Sequence, residues 1–521
     1  MKKLFFILSL FIITRSFAQS PTWNDDVANI VFDNCGTCHR DGGIAPFSLL
    51  SYELAYDERY DVADAVEEKE MPPWLPDPNY RHFKDEKVLS EEEINTIIEW
   101  VNNGAPKGSG LQPEAPEYAD GPYMEDIDQI VELPAYTVQE EDDEYRTFVI
   151  HSGLTETKYI SEIEFIPGNA SAVHHILFWQ DTSNISWELD AEDPLPGYKS
   201  NGAMTGSEFT KLISGWAPGA KGTYKLPAGM GIEVSAGADF VVEIHFAPGS
   251  KDKIDQSSIN LKYSDAFFTR PVWVDPILFH FPPVFQEPEF FIPANEIVTF
   301  HEIFPDIAEF FGVDLTFITL SPHMHLIGET FEAYSVSPAN DTTKLIYIPH
   351  WDFHWQNAFT FQKLQRIPVS SDVYGIATYN NTSSNEHNPN DPPEDVWLGE
   401  ETTDEMMLCF FAYTFYLPGD ENVILDSSII ITDGIIPDEL TSVNIFPNPA
   451  ADVLHILVSD VGSDHYDMKV YNVFGNIVFS ETVYNRSVHE INIEKWSTGM
   501  YVVDISAGGK RKTFKVMKAK E

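Results

Sequence analysis

Hydrophobic and polar positions along the chain change texture twice. From about Gln19 to Pro116 the pattern reads helical, over Trp23 to Phe32, Tyr52 to Lys69 and Ser90 to Asn102. The last of these opens on the capping box Ser90-Glu-Glu-Glu93. Glu114 to Asp126 is rich in Pro, Gly and acid and reads as a linker. Beyond it, short Val, Ile, Phe and Tyr runs are broken by Gly, Pro and Asn, as in Arg146 to His151, Tyr159 to Ile166, Val173 to Gln180, Phe240 to Phe246 and Leu315 to Leu320. That region exceeds one ordinary sandwich, so a division near Phe267 to Pro293 predicts two β domains, residues 127–270 and 271–425. A last unit, residues 440–521, alternates again and ends in the basic stretch Lys510 to Lys520. The expected fold is multidomain: a small all-α domain at 19–116, two tandem all-β domains and a C-terminal β-sandwich.

The first residues carry a different signal. Lys2 and Lys3, the apolar run Leu4 to Ile13 and the small-x-small site Ser16-Phe17-Ala18 predict a signal peptide over residues 1–18, and export. No later stretch reaches the roughly 18 to 20 apolar residues of a spanning helix, and no lipid-accepting cysteine follows the cleavage site. With 82 acidic against 32 basic residues the formal charge is −50, a field that repels nucleic acid and anionic membranes and reads as a solvated exported surface. Three cysteines exclude a disulfide scaffold, leaving core burial and metals to stabilise an exported chain.

Candidate chemistry begins with Cys35-Gly-Thr-Cys38-His39, the spacing by which two thioethers fix a haem covalently and the next histidine takes an axial iron position. Met71, in the turn Met71-Pro-Pro-Trp74, is the candidate sixth ligand, with His82 or water as the alternative. With Ala45-Pro46-Phe47 these residues resemble a bacterial c-type cytochrome domain.

A second set of ligands is dispersed: His174-His175, His245, His323-x-His325 and Met406. Three imidazoles beside two imidazoles and a thioether suit two inequivalent coppers. In a strand His323 and His325 would share a face, Pro322 marking where that strand begins, whereas His174 and His175 would face opposite ways. The latter pair serve one ion only if the backbone is irregular or the rings use different nitrogens. Met407 rivals Met406.

The order Val173-His-His-Ile176, Gly215-Trp-Ala-Pro-Gly219, Glu243-Ile-His-Phe-Ala-Pro-Gly249, Ser321-Pro-His-Met-His-Leu-Ile-Gly328 and Thr403-Asp-Glu-Met406 resembles the copper type II, ascorbate-dependent monooxygenases, the peptidylglycine and dopamine hydroxylase-like family. Trp351-Asp-Phe-His-Trp-Gln356, Tyr379-Asn-Asn381 and Asn388-Pro389 resemble its bacterial members. The resemblance implies two jelly-roll domains around a solvent-filled cleft. It implies an electron-storing copper on His174, His175 and His245, and a catalytic, oxygen-activating copper on His323, His325 and Met406. O2 and a small-molecule substrate would react there, a C–H bond becoming C–OH with electrons from ascorbate or another donor, the covalent haem c included. Ser321 stands where the peptide-amidating enzymes place an arginine, and Leu408 and Phe410 replace an asparagine and a tyrosine, so a peptidyl-glycine substrate is not expected. Phe410, Phe411, Tyr413 and Phe415 read as strand core.

The final unit, with Val443-Asn-Ile-Phe-Pro-Asn-Pro449, Tyr471-Asn-Val-Phe-Gly475 and Gly499-Met-Tyr501, resembles the type IX secretion sorting domain. It implies the type IX machinery as a partner and a secreted or outer-surface destination. Two functional classes follow: an exported copper monooxygenase with haem electron input, or a non-catalytic haem and copper electron-transfer or copper-binding protein.

Overall fold

The computed structural model describes residues 20–41, 43, 45–116, 122–200, 210–217, 222–266, 269–280, 290–304, 312–399, 401–426, 443–446, 450, 452–458, 465–472, 477–484, 488–507 and 510–519. The expected signal peptide at 1–18, and Pro218, Gly219, Pro447 to Pro449 and Val473 to Gly475 of the quoted motifs, lie outside them. The chain forms two compact units: residues 1–74 with 87–121, and residues 75–86 with 122–521.

The first unit is helical. A turn of π-helix, Trp23–Val27, runs into the α-helix Ala28–Asn34, followed by Tyr52–Asp57, Arg59–Glu67 and Glu91–Asn102. The stretch expected as one helix over Tyr52 to Lys69 breaks at Glu58, whose ψ of 7° leaves the helical region. The capping box forms as its residues require, Ser90 accepting from the Glu93 N–H while the Glu93 carboxylate accepts from the Ser90 N–H. Trp23, Phe32, Ile97 and Trp100 lead the core, with the Trp23 and Trp100 rings 5.8 Å apart.

Residues 75–86, expected inside the helical domain, belong instead to the β unit, because their side chains find partners there. Phe83 is fully buried between Phe359 and Phe361, at centroid distances of 5.6 Å and 5.7 Å. Asp77 N–H donates to the Tyr347 carbonyl at 2.8 Å, and Lys84 N–H to that of Thr360 at 2.8 Å.

The β unit is built from layered sheets. A five-stranded sheet orders Tyr198–Ser200, Glu144–His151, Asp239–Phe246, Val173–Asp181 and Thr210–Trp216. A nine-stranded sheet runs from Gln129–Glu132 to Phe359–Ile367. Strand Arg270–Phe279, within the stretch read as a division, joins its two halves. Its first residues pair parallel with Met230–Val234 and the rest antiparallel with Leu408–Phe415. A four-stranded sheet of Glu296–Phe304, Asp372–Asn381, Gly328–Val336 and Thr342–Ile348 makes up another layer. Along Leu408–Phe415, Phe411 and Tyr413 are buried while Phe415 is exposed. The C-terminal strands form sheets of three and four with a shared apolar core of Leu454, Ile456, Met468, Val470, Val503 and Ile505. The basic strand Lys510–Lys518 sits at the end of the four-stranded sheet's strand order.

Candidate metal centres

His174, His175 and His245 converge, their ligand atoms all within 4.8 Å of one another. Strand pairing explains how adjacent histidines manage it. His245 pairs with His175, but the next residue, Phe246, pairs with Val173, so His174 is the extra residue of a β-bulge. The irregular backbone turns His174 and His175 to a common point, with their Nδ1 atoms 3.3 Å apart. His245 completes the group from the neighbouring strand. Its Nε2 lies 2.7 Å from the Asp143 carboxylate, an acceptor only, so the proton sits on Nε2 and Nδ1 keeps its lone pair. That Nδ1 is buried with no hydrogen-bond partner, the condition a metal ion relieves. Tyr145 stacks on the His245 ring at 4.2 Å and 7°.

His323 and His325 form the second group. The strand ends at His323 and does not begin at Pro322; His325 lies two residues past that end, just before the turn at Leu326 and Ile327. The reason is Glu405. Its buried carboxylate accepts from the N–H of His325 at 2.7 Å and of Ile327 at 2.8 Å, taking the donors a continuing strand would give its neighbour. His325 Nδ1 donates to the Asp404 carbonyl at 3.1 Å, and His323 Nδ1 to the Gln356 side-chain oxygen. The Gln356 amide is itself oriented by donating to the Phe353 carbonyl at 3.0 Å. Both Nε2 atoms therefore hold lone pairs, and they face each other at 3.2 Å. Two nitrogens about 2 Å from one ion at a near-tetrahedral angle stand at about that separation.

Met406 follows Glu405, and its carbonyl accepts from the Tyr379 hydroxyl at 2.6 Å. Met407 is buried core: a Cβ added at Gly375 would stand 3.5 Å from its methyl. Ser321 donates to the Asn357 carbonyl at 3.0 Å.

Burial sets the electrostatics. It lowers His174 to about 3, with His245 adding to the effect, and holds His175 well below the usual imidazole range. Burial, then His323, lowers His325 to about 3. Burial also lowers His323, against the Gln356 hydrogen bond. Neutral imidazoles are the ligating form. Burial raises the Asp143 carboxyl, but its hydrogen bond to His245, the nearby Thr402 and the charges of His245 and His174 together outweigh that and hold it below the usual carboxylate range. Burial pushes Glu405 up to about 8 against the pull of its backbone donors.

One ring touches both groups. Phe353 stacks on His174 at 5.0 Å and 19° and meets His325 edge-on at 5.7 Å. It is carried by the 3-10 turn Phe353–Trp355, capped by Asp352. Trp351 Nε1 donates to the His325 carbonyl at 3.1 Å. A Cβ at Gly328 would come within 2.9 Å of the Trp351 ring, so only glycine allows this approach.

In the helical unit, Cys38 and His39 N–H both donate to the Cys35 carbonyl, at 3.1 Å and 2.9 Å, so the motif forms a compact turn with both thiols free. His39 Nδ1 donates to the Phe47 carbonyl at 3.2 Å, leaving Nε2 as the axial donor a haem iron requires. Burial, and then Cys38, push the Cys35 thiol up to about 12. Met71 closes the helix Arg59–Glu67, its N–H donating to the Ala65 carbonyl at 3.1 Å. His82 is paired with Glu86 at 3.1 Å within the β unit.

Sequence reasoning named all the candidate ligands but missed their supports: Asp143, Tyr145, Phe353, Gln356, Tyr379 and Glu405. Phe353, Gln356, Tyr379 and Glu405 sit in segments already singled out, whereas Asp143 is hidden in the acidic run Glu140 to Glu144.

Residues 444–519 match the family described as secretion system C-terminal sorting domain. The terminal unit is a type IX sorting domain, and the protein is exported to the cell surface or released. Among the described residues no helix is long and apolar enough to cross a membrane. Ulvan lyase NLR42 of Nonlabens ulvanivorans is 22% identical over 176 residues, 30% of this chain and 32% of its own, so the chain spans about a third of the curated relative it matches. PNGase F, a glycosylasparaginase from Flavobacterium meningosepticum, is 10% identical over 55% of this chain and 96% of its own, at a TM-score of 0.24. The β-glucuronidase of Faecalibacterium prausnitzii is 12% identical over 42% and 36%, at 0.13. Likenesses this slight assign no activity.

Proposed function

We propose that this chain is an exported copper-dependent monooxygenase that hydroxylates a C–H bond of a small substrate with O2. The observation that carries the reading is the opposed lone pairs of His323 and His325, each Nδ1 proton committed elsewhere, beside the bulge-built group of His174, His175 and His245. Copper there would cycle between Cu(I) and Cu(II) and supply the one-electron chemistry O2 activation needs.

His174, His175 and His245 hold the electron-storing ion; His323, His325 and Met406 hold the oxygen-activating one. Gln356 and the Asp404 carbonyl keep protons on the Nδ1 atoms, and Asp143 does the same for His245 Nε2. Glu405 and Tyr379 fix the backbone carrying His325 and Met406. The N-terminal unit is a c-type cytochrome domain, with haem on Cys35 and Cys38, His39 and Met71 as axial ligands, and electrons passed on from it or from ascorbate. Ser321, held by the Asn357 carbonyl, leaves no cation for a substrate carboxylate at that position, so the substrate is other than a peptidyl-glycine.

Copper analysis and EPR on haem-matured protein test this. Two type II coppers per haem support the reading. Zero or one supports a non-catalytic electron-transfer or copper-binding protein.

A further inference from the structure

The chain leaves the helical unit after Trp74 and re-enters it at Lys87; between them, residues 75–86 belong to the β unit. Their attachment there is dense for so short a strap. Asp77 and Lys84 donate backbone N–H groups to the carbonyls of Tyr347 and Thr360, each at 2.8 Å. Between those points the Tyr80 hydroxyl donates to Glu332 at 2.9 Å and the Arg81 guanidinium to the Gln365 side chain at 2.7 Å. The guanidinium also lies 4.4 Å over the Phe361 ring, and Phe83, fully buried beside that ring, is the deepest anchor.

What precedes the strap is stiff. The link reads Met71-Pro-Pro-Trp-Leu-Pro-Asp77, followed by Pro78. Each proline fixes its own φ and restricts the residue before it, so Trp74 alone in this link keeps ordinary backbone freedom. On its other side Met71 is held by its N–H bond to the Ala65 carbonyl at 3.1 Å. The returning chain is fixed as well, Leu89 being buried in the helical core.

We propose that the strap is a positioning device for Met71. Docking of residues 75–86 on the β unit, carried through the proline-stiffened link, holds Met71 in its ligating place, so that strap docking and iron ligation stabilise each other. The inference rests on the reading of the helical unit as a c-type cytochrome domain with Met71 as an axial ligand. Such coupling is reciprocal: a molecule that displaces Met71 loosens the strap by the factor that loosening the strap favours that molecule. Imidazole is a suitable probe. An Fe–N bond forms as the Fe–S bond to the thioether breaks, the iron stays ferric, and neither electron nor proton is exchanged.

The test uses ferric, haem-matured, full-length protein titrated with imidazole while the thioether-to-iron charge-transfer band is followed. Phe83→Ala removes the deepest anchor, and Pro76→Gly frees the link; each should raise imidazole affinity about tenfold. In the wild type, saturating imidazole should speed tryptic cleavage at Arg81 and Lys84 by about the same factor. In Pro76→Gly that acceleration should vanish, which a merely weakened β unit would not produce. If Phe83→Ala does not accumulate, Pro76→Gly and the proteolysis of the wild type decide the matter. Unchanged imidazole affinity in the variants, with the band lost in Met71→Ala, overturns the positioning role and leaves Met71 as the ligand. A wild-type spectrum without the band, or one that Met71→Ala does not alter, overturns the ligand assignment and the inference together.

Discussion

Asp143 decides which nitrogen His245 offers. Because a carboxylate only accepts, its 2.7 Å contact holds the proton on Nε2 and frees Nδ1 for the centre. Asp143→Ala should therefore weaken copper binding at that group by roughly 10- to 100-fold and leave the other group unchanged, as read by competitive copper titration. Glu405 acts on backbone instead. Glu405→Ala strands the buried N–H groups of His325 and Ile327, at about 1–3 kcal/mol for each. A lower melting temperature and loss of copper at the His323 group are expected; copper retention at full affinity would show that the turn holds itself. The candidate ligands could be singled out because histidine and methionine in a family-like order are rare. Asp143 could not, since one half-buried carboxylate in the run Glu140 to Glu144 has the same sequence signature as a solvated one.

Strands carried by short apolar runs, such as Asp239–Phe246 and Val173–Asp181, could be read directly. The bulge at His174 could not, because a one-residue shift between His245 and Phe246 depends on which strand lies alongside. The same holds for the strand ending at His323, which stops because Glu405, eighty residues on, takes the next donors. The segment 75–86 was misassigned for a related reason: its anchor, Phe83, is apolar wherever it packs. Phe83→Ala removes a fully buried ring from between Phe359 and Phe361, at about 3–5 kcal/mol. Trypsin should then cut at Arg81 and Lys84 under native conditions, where the parent resists; equal resistance would mean that the backbone bonds of Asp77 and Lys84 suffice.

For the whole molecule, net charge and the terminal unit speak to destination, and a deeply buried acid speaks to stability. Removing residues 444–519 should retain the protein inside the outer membrane with its metal content intact, checked by fractionating cells; unchanged surface display would contradict the role of the sorting domain. Burial raises Glu302, beside His280 at 3.3 Å, from 4.5 to about 7. Between those values the unfolded chain gives up its proton while the folded chain keeps it, so this group's contribution to stability is full below 4.5 and is lost as pH rises through 7. The melting temperature of Glu302→Gln should gain on the parent over that interval and run parallel to it above; a constant difference would place the ionisation elsewhere. The β-rich architecture was legible from short Val, Ile, Phe and Tyr runs broken by Gly, Pro and Asn. The strand Arg270–Phe279, which joins the halves of the nine-stranded sheet, was not, because a shared strand and a boundary strand carry the same pattern.

Oxygen chemistry at the methionine-bearing group, as proposed, is tested by reductant-driven O2 consumption of copper-loaded, haem-matured protein. Steady uptake is expected of the wild type and its loss in Met406→Ala, with the copper on His174, His175 and His245 still present by EPR. Undiminished uptake in that variant, or none in the fully loaded wild type, would contradict it.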